Sequence, residues 1–136
     1  MTLYVDTSAL VALHVECAPR AMVVEAIRDH ESQHVCTSAV SLTESLALIP
    51  KLTEEPVYRT DLEDSIRLTW DHLTIVPIDQ RCLDRAAALM CEQPLRLADA
   101  LHLAAADRLP RPVTYLTLDP SQIPVALSLG FDVVSA

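Results

Sequence analysis

Glycine and lysine are almost absent from this chain of 136 residues, and each shortage excludes a class of α/β protein. Gly130 is the only glycine, so the chain lacks the glycine-rich loop that cradles phosphate in P-loop and dinucleotide-binding proteins. Lys51 is the only lysine, and it does not follow a late strand, where a phosphoacceptor receiver domain would need it. A haloacid-dehalogenase-like phosphatase would need an aspartate two residues after Asp6, where Ser8 stands instead.

Long apolar runs and paired cysteines are also missing. Although 51% of the residues are hydrophobic, no run of about 18 apolar residues occurs, so we expect no membrane-spanning segment. The start of the chain, MTLYVDTSAL, has no basic region or cleavage pattern, so we expect no export signal. Cys82 and Cys91 would lie about 13 Å apart along one helix, too far for a disulfide. Because Cys17 and Cys36 form no C-x-x-C motif either, we expect reduced thiols and a cytoplasmic protein.

Positive charge is scarce as well, since the formal net charge is −9. Proteins that simply coat nucleic acid carry a basic surface, so this charge argues against that function. It favours a bound metal cation, a basic protein partner, or both. An enzyme that acts on nucleic acid stays compatible with the charge, because a bound metal supplies positive charge locally.

Strands and helices alternate along the chain, which predicts a parallel sheet covered by helices on both faces. We expect strands at 2–6, 34–37, 73–78, 113–118 and 131–134. We expect a helix capped by Asp6, Thr7 or Ser8, and further helices at 19–30, 38–49, 57–72, 79–91, 97–107 and 121–129. The helix capped by Ser38 should stop before Pro50, and Gly130 should take the C′ position of the last helix. The expected fold class is therefore three-layer α/β, in one domain over residues 1–136.

Four carboxylates fall where such a sheet places its ligand site, at the carboxyl ends of its strands. Asp6 ends the first strand, and Asp119 follows the strand 113–118. Glu44 lies on the apolar stripe of the helix after the second strand, and Asp99 opens the most apolar helix. Ionised carboxylates that converge repel one another, and a divalent cation relieves this conflict. Because all-oxygen ligation suits Mg²⁺ or Mn²⁺ rather than zinc, we predict that these four residues bind such a cation.

Each of the four also has a simpler explanation. Asp6 and Asp119 precede helices and fit ordinary N-caps. Glu44 could face solvent or pair with an arginine. Asp99 could be a first-turn charge that the helix dipole favours. The joint pattern favours the metal site, because all four residues fall at the same end of the predicted sheet.

Two neighbours of Asp99 stay outside the predicted site. His102 follows it by three residues, but a lone histidine of this kind is more commonly a hydrogen-bonded core residue than a ligand. Arg96 precedes it and could contact phosphate, although a surface arginine is the more common case. The five histidines accompany no Ser–His–Asp or Cys–His signature, so nucleophilic catalysis of that type is not expected.

Four segments occur in a characteristic order and spacing: 4-YVDTSALVAL-13, 38-SAVSLTESLAL-48, 96-RLADALHLAAA-106 and 115-YLTLDPSQIPVALSLGF-131. Together they resemble the PIN-domain ribonucleases, and within that family the VapC-type toxins of bacterial toxin–antitoxin pairs. The match extends over nearly the whole chain. The resemblance implies a three-layer α/β/α fold with a central parallel sheet of about five strands. It also implies a metal-dependent endoribonuclease that uses Mg²⁺, for which Mn²⁺ substitutes.

The resemblance also assigns roles to particular residues. The family's acidic roles fall on Asp6, Glu44, Asp99 and Asp119, of which Asp6 and Asp99 are the firmest metal ligands. The hydroxyls implied to support them belong to Thr7, Ser8 and Thr117. One position departs from the family pattern, because Asp119 is followed by Pro120 and Ser121 where a basic and a hydrophobic residue are usual.

The partners implied by the resemblance are an RNA substrate and a cognate antitoxin, which would be a small, basic protein of the DNA-binding type. The resemblance further implies a homodimer. An alternative function is a catalytically weak or inactive PIN module that acts mainly by binding a protein partner. The net charge of −9 suits a basic partner at least as well as it suits RNA.

Overall fold

Five parallel strands form the sheet in the computed structural model, which describes residues 2–30 and 34–136. The strands are β1 (Thr2–Val5), β2 (His34–Ser38), β3 (Thr74–Val76), β4 (Val113–Leu116) and β5 (Asp132–Val134). Their spatial order is β3-β2-β1-β4-β5, and every neighbouring pair is parallel. The chain crosses from one side of β1 to the other between β3 and β4. The topological switch point, where open parallel sheets bind ligands, therefore lies beside β1.

Helices cover both faces of this sheet. They are α1 (Thr7–Ala12), α2 (Arg20–Asp29), α3 (Val40–Leu52), α4 (Pro56–Asp71), α5 (Gln80–Glu92), α6 (Leu97–Asp107) and α7 (Ile123–Ser128), and a 3₁₀ turn, Pro120–Gln122, precedes α7. The predicted α/β/α architecture with five parallel strands is confirmed. Within the described part of the chain, none of these helices combines the length and the apolar character that a membrane span requires.

Successive residues of β1 supply two separate cores, because neighbouring side chains of a strand point to opposite faces. Tyr4 packs among residues of α5, α6 and α7 on one face. Leu3 and Val5 pack among residues of α1 and α2 on the other face. All three side chains are fully buried. The strand is apolar throughout because both faces of the sheet are covered.

Helix α6 lies deepest among the helices that flank the site. Every residue from Asp99 to Ala106 is buried, and the helix contacts α5, β2 and α3. Its alanines allow this close packing because a methyl group fills little space between neighbouring elements. Asp99 is therefore mounted on a rigid element.

The predicted limits of α3 are wrong at both ends. Ser38 does not cap the helix, because it is the last residue of β2, and α3 begins only after Ala39. The helix also passes through Pro50 and ends at Leu52. Pro50 lies in the last turn, where Ile49 is buried against Leu62 and Ile66 of α4. This packing outweighs the hydrogen bond that the proline cannot make.

Two further expectations are confirmed. The four cysteines are free thiols. Gly130 follows the last turn of α7 with a φ of 85°, the left-handed conformation that a C′ glycine supplies.

Candidate functional site

A pocket of about 230 Å³ lies at the carboxyl ends of the central strands. The four predicted carboxylates all line it, although they come from four separate segments of the chain. Asp6 follows β1, Glu44 lies on α3, Asp99 lies in the first turn of α6, and Asp119 lies beyond β4. The other lining residues are Thr7, Ser8, Leu48, Arg96, His102 and Gln122.

Asp6 caps helix α1 and also lines the pocket. Its Oδ1 accepts hydrogen bonds from the Ala9 amide at 3.0 Å and the Ser8 hydroxyl at 2.7 Å, while its Oδ2 accepts one from the Thr117 hydroxyl at 2.6 Å. The residue is 1% exposed, and none of these donors is charged. Burial raises the pKa of Asp6, although the hydrogen bonds act in the opposite direction. Its negative charge is thus incompletely compensated by the protein.

Glu44 is only partly exposed to solvent, and it forms no ion pair with an arginine among residues 2–30 and 34–136. Its Oε1 accepts a hydrogen bond from the Thr7 hydroxyl at 2.6 Å and lies 2.7 Å from Nε2 of His102. Burial acts to raise the pKa of Glu44, but the bonds to His102 and Thr7 outweigh it and hold the pKa below its usual value. This carboxylate is therefore held in its ionised form.

His102 was missed by the sequence prediction, which placed it in the core alone. It is 1% exposed and therefore a core residue, yet it also lines the pocket. Its Nδ1 lies 2.7 Å from the Tyr4 hydroxyl. The spacing of three residues from Asp99 on one helix was a usable signal, because such residues are neighbours on a helix surface.

Arg96 joins the other two carboxylates. Its Nε donates to Oδ2 of Asp99 at 3.1 Å, and its Nη2 donates to Oδ2 of Asp119 at 2.9 Å. Gln122, which the sequence gave no reason to select, donates from Nε2 to Oδ1 of Asp99 at 2.9 Å. Asp119 also caps the 3₁₀ turn through the Ser121 amide. Burial opposes ionisation of Asp119, but the bonds from Ser121 and the charge of Arg96 outweigh it and lower the pKa.

The donor set of the pocket fits a hard divalent cation. It consists of carboxylate and hydroxyl oxygens, the ligands of Mg²⁺ and Mn²⁺, and it includes the buried carboxylate of Asp6. As the side chains stand in residues 2–30 and 34–136, however, no three histidine, cysteine, aspartate or glutamate residues form a group ready to hold a metal ion. Arg96 already bonds to Asp99 and Asp119, so a cation that used those oxygens would have to displace its guanidinium.

Comparisons with known proteins identify the family. DNA-bound VapBC from Salmonella typhimurium has a similar structure, with a TM-score of 0.75 and 13% identity over 99% of this chain and 98% of that one. VapBC2 from Rickettsia felis gives a TM-score of 0.73 at 13% identity, covering 100% and 99% of the two chains. VapC20 from Mycobacterium tuberculosis gives 0.69 at 17% identity, covering 90% and 94%. At these identities the likeness shows a shared fold.

A search of curated proteins found no match. A family model described as PIN domain matches residues 3–132, which include all four carboxylates of the pocket. That match spans most of the chain. The chain belongs to the PIN domain family.

Proposed function

We propose that this chain is a Mg²⁺-dependent endoribonuclease that hydrolyses RNA phosphodiester bonds and acts as the toxin of a type II toxin–antitoxin pair. The observation that carries the proposal is the meeting of Asp6, Glu44, Asp99 and Asp119 at one pocket of a PIN domain. The similar VapC20 structure is described as a toxin that cleaves the sarcin-ricin loop, and this supports RNA as the substrate class.

The residues of the pocket divide into ligands and supports. Asp6 and Asp99 are the principal metal ligands, and Glu44 and Asp119 complete the acidic set. Bound Mg²⁺ would stabilise the negative charge that develops on the phosphate during hydrolysis. The hydroxyls that hold these carboxylates in place belong to Thr7, Ser8 and Thr117, each of which bonds to Asp6 or Glu44.

The proposed regulatory partner is a small, basic antitoxin of the DNA-binding type. VapBC from Salmonella typhimurium and VapBC2 from Rickettsia felis are both described as bound to DNA, which supports an antitoxin of this type. The net charge of −9 favours a basic partner. A homodimer stays a prediction, which light scattering of the purified chain tests.

One observation favours the second candidate, a weak or inactive PIN module whose main role is to bind a protein. Arg96 neutralises part of the pocket from within the chain, since it pairs with both Asp99 and Asp119. The same pocket could receive an arginine of a partner in the same way. Binding would then be the main function, and hydrolysis would be slow or absent.

Purified, antitoxin-free protein incubated with total RNA tests the proposal. We expect cleavage in Mg²⁺ and none in EDTA. Asp6→Asn and Asp99→Asn should each reduce the rate at least about 100-fold, because each removes a charged ligand from the site. Asp61→Asn makes the same change on the exposed surface of α4 and should cleave like the unsubstituted chain.

Full activity of both Asp6→Asn and Asp99→Asn on the same RNA would remove the site assignment. Absence of metal-dependent cleavage, together with tight binding of a small basic protein, would favour the binding module. Circular dichroism of each variant shows whether it is folded, so a loss of rate can be assigned to the site.

A further inference from the structure

A buried series of hydrogen bonds leads from the sheet to the pocket through His102. The Tyr4 hydroxyl on β1 lies 2.7 Å from Nδ1 of His102, and Nε2 of the same ring lies 2.7 Å from Oε1 of Glu44. Tyr4 is 0% exposed and His102 is 1% exposed, whereas the Glu44 side chain keeps 32% of its surface in contact with solvent. This series of hydrogen bonds therefore starts in the core and ends at a carboxylate that lines the pocket.

One tautomer of His102 can make both of these hydrogen bonds. An ionised carboxylate only accepts hydrogen bonds, so Nε2 of His102 carries the hydrogen and donates it to Glu44. The Tyr4 hydroxyl is a donor as well as an acceptor of hydrogen bonds. It can donate to Nδ1, so the Nε2–H tautomer satisfies both contacts at once.

Both bonds to Glu44 fall on one oxygen. Thr7 and His102 each bond to Oε1, and within the described residues Oε2 receives no hydrogen bond. Glu44 differs in this respect from the other three carboxylates, since both oxygens of each accept a hydrogen bond. Glu44 Oε2 is thus the carboxylate oxygen of the pocket that the protein leaves open.

We propose that His102 is a positioning residue that holds Oε1 of Glu44 and so keeps Oε2 available to a divalent cation. This role depends on the proposed metal-dependent function. It also explains why His102 lies on α6 close to Asp99: one rigid helix then places one carboxylate directly and a second through a hydrogen bond. Hydrogen-bond partners that orient metal ligands typically change metal affinity 10–100-fold when they are removed.

Two substitutions of His102 separate this role from a purely structural one. The amide of His102→Asn lies near the position of Nδ1, so it can keep the contact with Tyr4, but it leaves no donor at the position of Nε2. The longer His102→Gln can place an N–H donor near the position of Nε2. Mn²⁺ added to the metal-free protein, followed by electron paramagnetic resonance, measures the dissociation constant without any RNA. We expect about 10–100-fold weaker binding by His102→Asn and near-normal binding by His102→Gln.

A double-mutant cycle tests whether His102 acts through Glu44. In a Glu44→Ala background, His102→Asn should cause no further loss of Mn²⁺ affinity, because the carboxylate that it positions is gone. An equal loss in both backgrounds would overturn the inference, as would normal binding by His102→Asn in the otherwise unsubstituted chain. Equal losses in His102→Asn and His102→Gln would also overturn it.

The binding of Mn²⁺ to the unsubstituted chain distinguishes a failure of the proposed function from a failure of the role proposed for His102. If that chain binds Mn²⁺ and Asp99→Asn does not, the pocket is a metal site, and the His102 variants then decide the positioning role alone. If the unsubstituted chain binds no Mn²⁺ at the pocket, both the proposed function and the role of His102 are overturned. Thermal unfolding of each variant without metal identifies any that fails to fold. If His102→Asn is such a variant, His102→Leu, which also lacks a donor at the position of Nε2, replaces it in the cycle.

Discussion

Arg96 and a divalent cation would use the same oxygen atoms, Oδ2 of Asp99 and Oδ2 of Asp119. The Arg96 side chain is 78% exposed, so it can leave the pocket without loss of core packing. Ion pairs made by so exposed an arginine stabilise a protein only weakly, because water and salt screen the charge. A divalent cation can therefore displace the guanidinium at small cost.

We predict that Arg96→Gln tightens Mn²⁺ binding by up to about fivefold, the factor that corresponds to the loss of an exposed ion pair. The titration used for the His102 variants measures this change. Arg67→Gln is the matched control, because Arg67 pairs with Glu63 on the surface of α4, away from the pocket. Weaker binding by Arg96→Gln would mean that the arginine supports the metal site and does not compete with the metal.

The site was only partly predictable from single residues. Asp6 and Asp119 could be placed from the sequence because each comes within three residues of the end of a strand, and these strands end at one edge of the sheet. His102 offered only its spacing of three residues from Asp99 as a signal, and Gln122 offered none, since its part in the site depends on which atoms it meets across the fold. Gln122 reaches Asp99, 23 positions away, and no local periodicity encodes that contact.

At the scale of elements, the sequence predicted the kinds of structure better than their limits. Helix α6 was expected at 97–107 and extends over those residues. The prediction succeeded because its two signals, the apolar composition of the helix and Asp99 in its first turn, are local in the sequence. Helix α3 continues past Pro50 because α4 packs against its last turn, which is information from another part of the chain. Strand β3 was expected at 73–78 and covers only 74–76.

The close packing of α6 leads to a prediction about stability. Ala105 is 0% exposed, so Ala105→Leu should lower the free energy of unfolding by about 1–3 kcal/mol through overpacking. Ala87→Leu makes the same change at an exposed position of α5 and should alter the free energy of unfolding by less than about 0.5 kcal/mol. Urea denaturation curves measure both values. Equal effects of the two substitutions would mean that α6 has room to accept larger side chains.

At the scale of the whole molecule, negative charge is both widespread and concentrated. The net charge of −9 is spread over 136 residues, and four carboxylates meet at one pocket. Any salt reduces the general repulsion by screening. A bound divalent cation adds a stabilisation of its own, because it binds the folded pocket and has no comparable site in the unfolded chain. The two contributions can be separated by experiment.

We predict that Mg²⁺ at about 100 times its dissociation constant raises the free energy of unfolding by about 2.7 kcal/mol above the value in NaCl of equal ionic strength. Denaturation in urea under the two conditions measures the difference. Asp99→Asn should respond equally to both salts, because it retains the general charge but lacks a principal ligand. If NaCl stabilises the unsubstituted chain as much as Mg²⁺ does, the effect is screening alone. The acidic pocket would then be better explained as a docking surface for a basic partner than as a metal site.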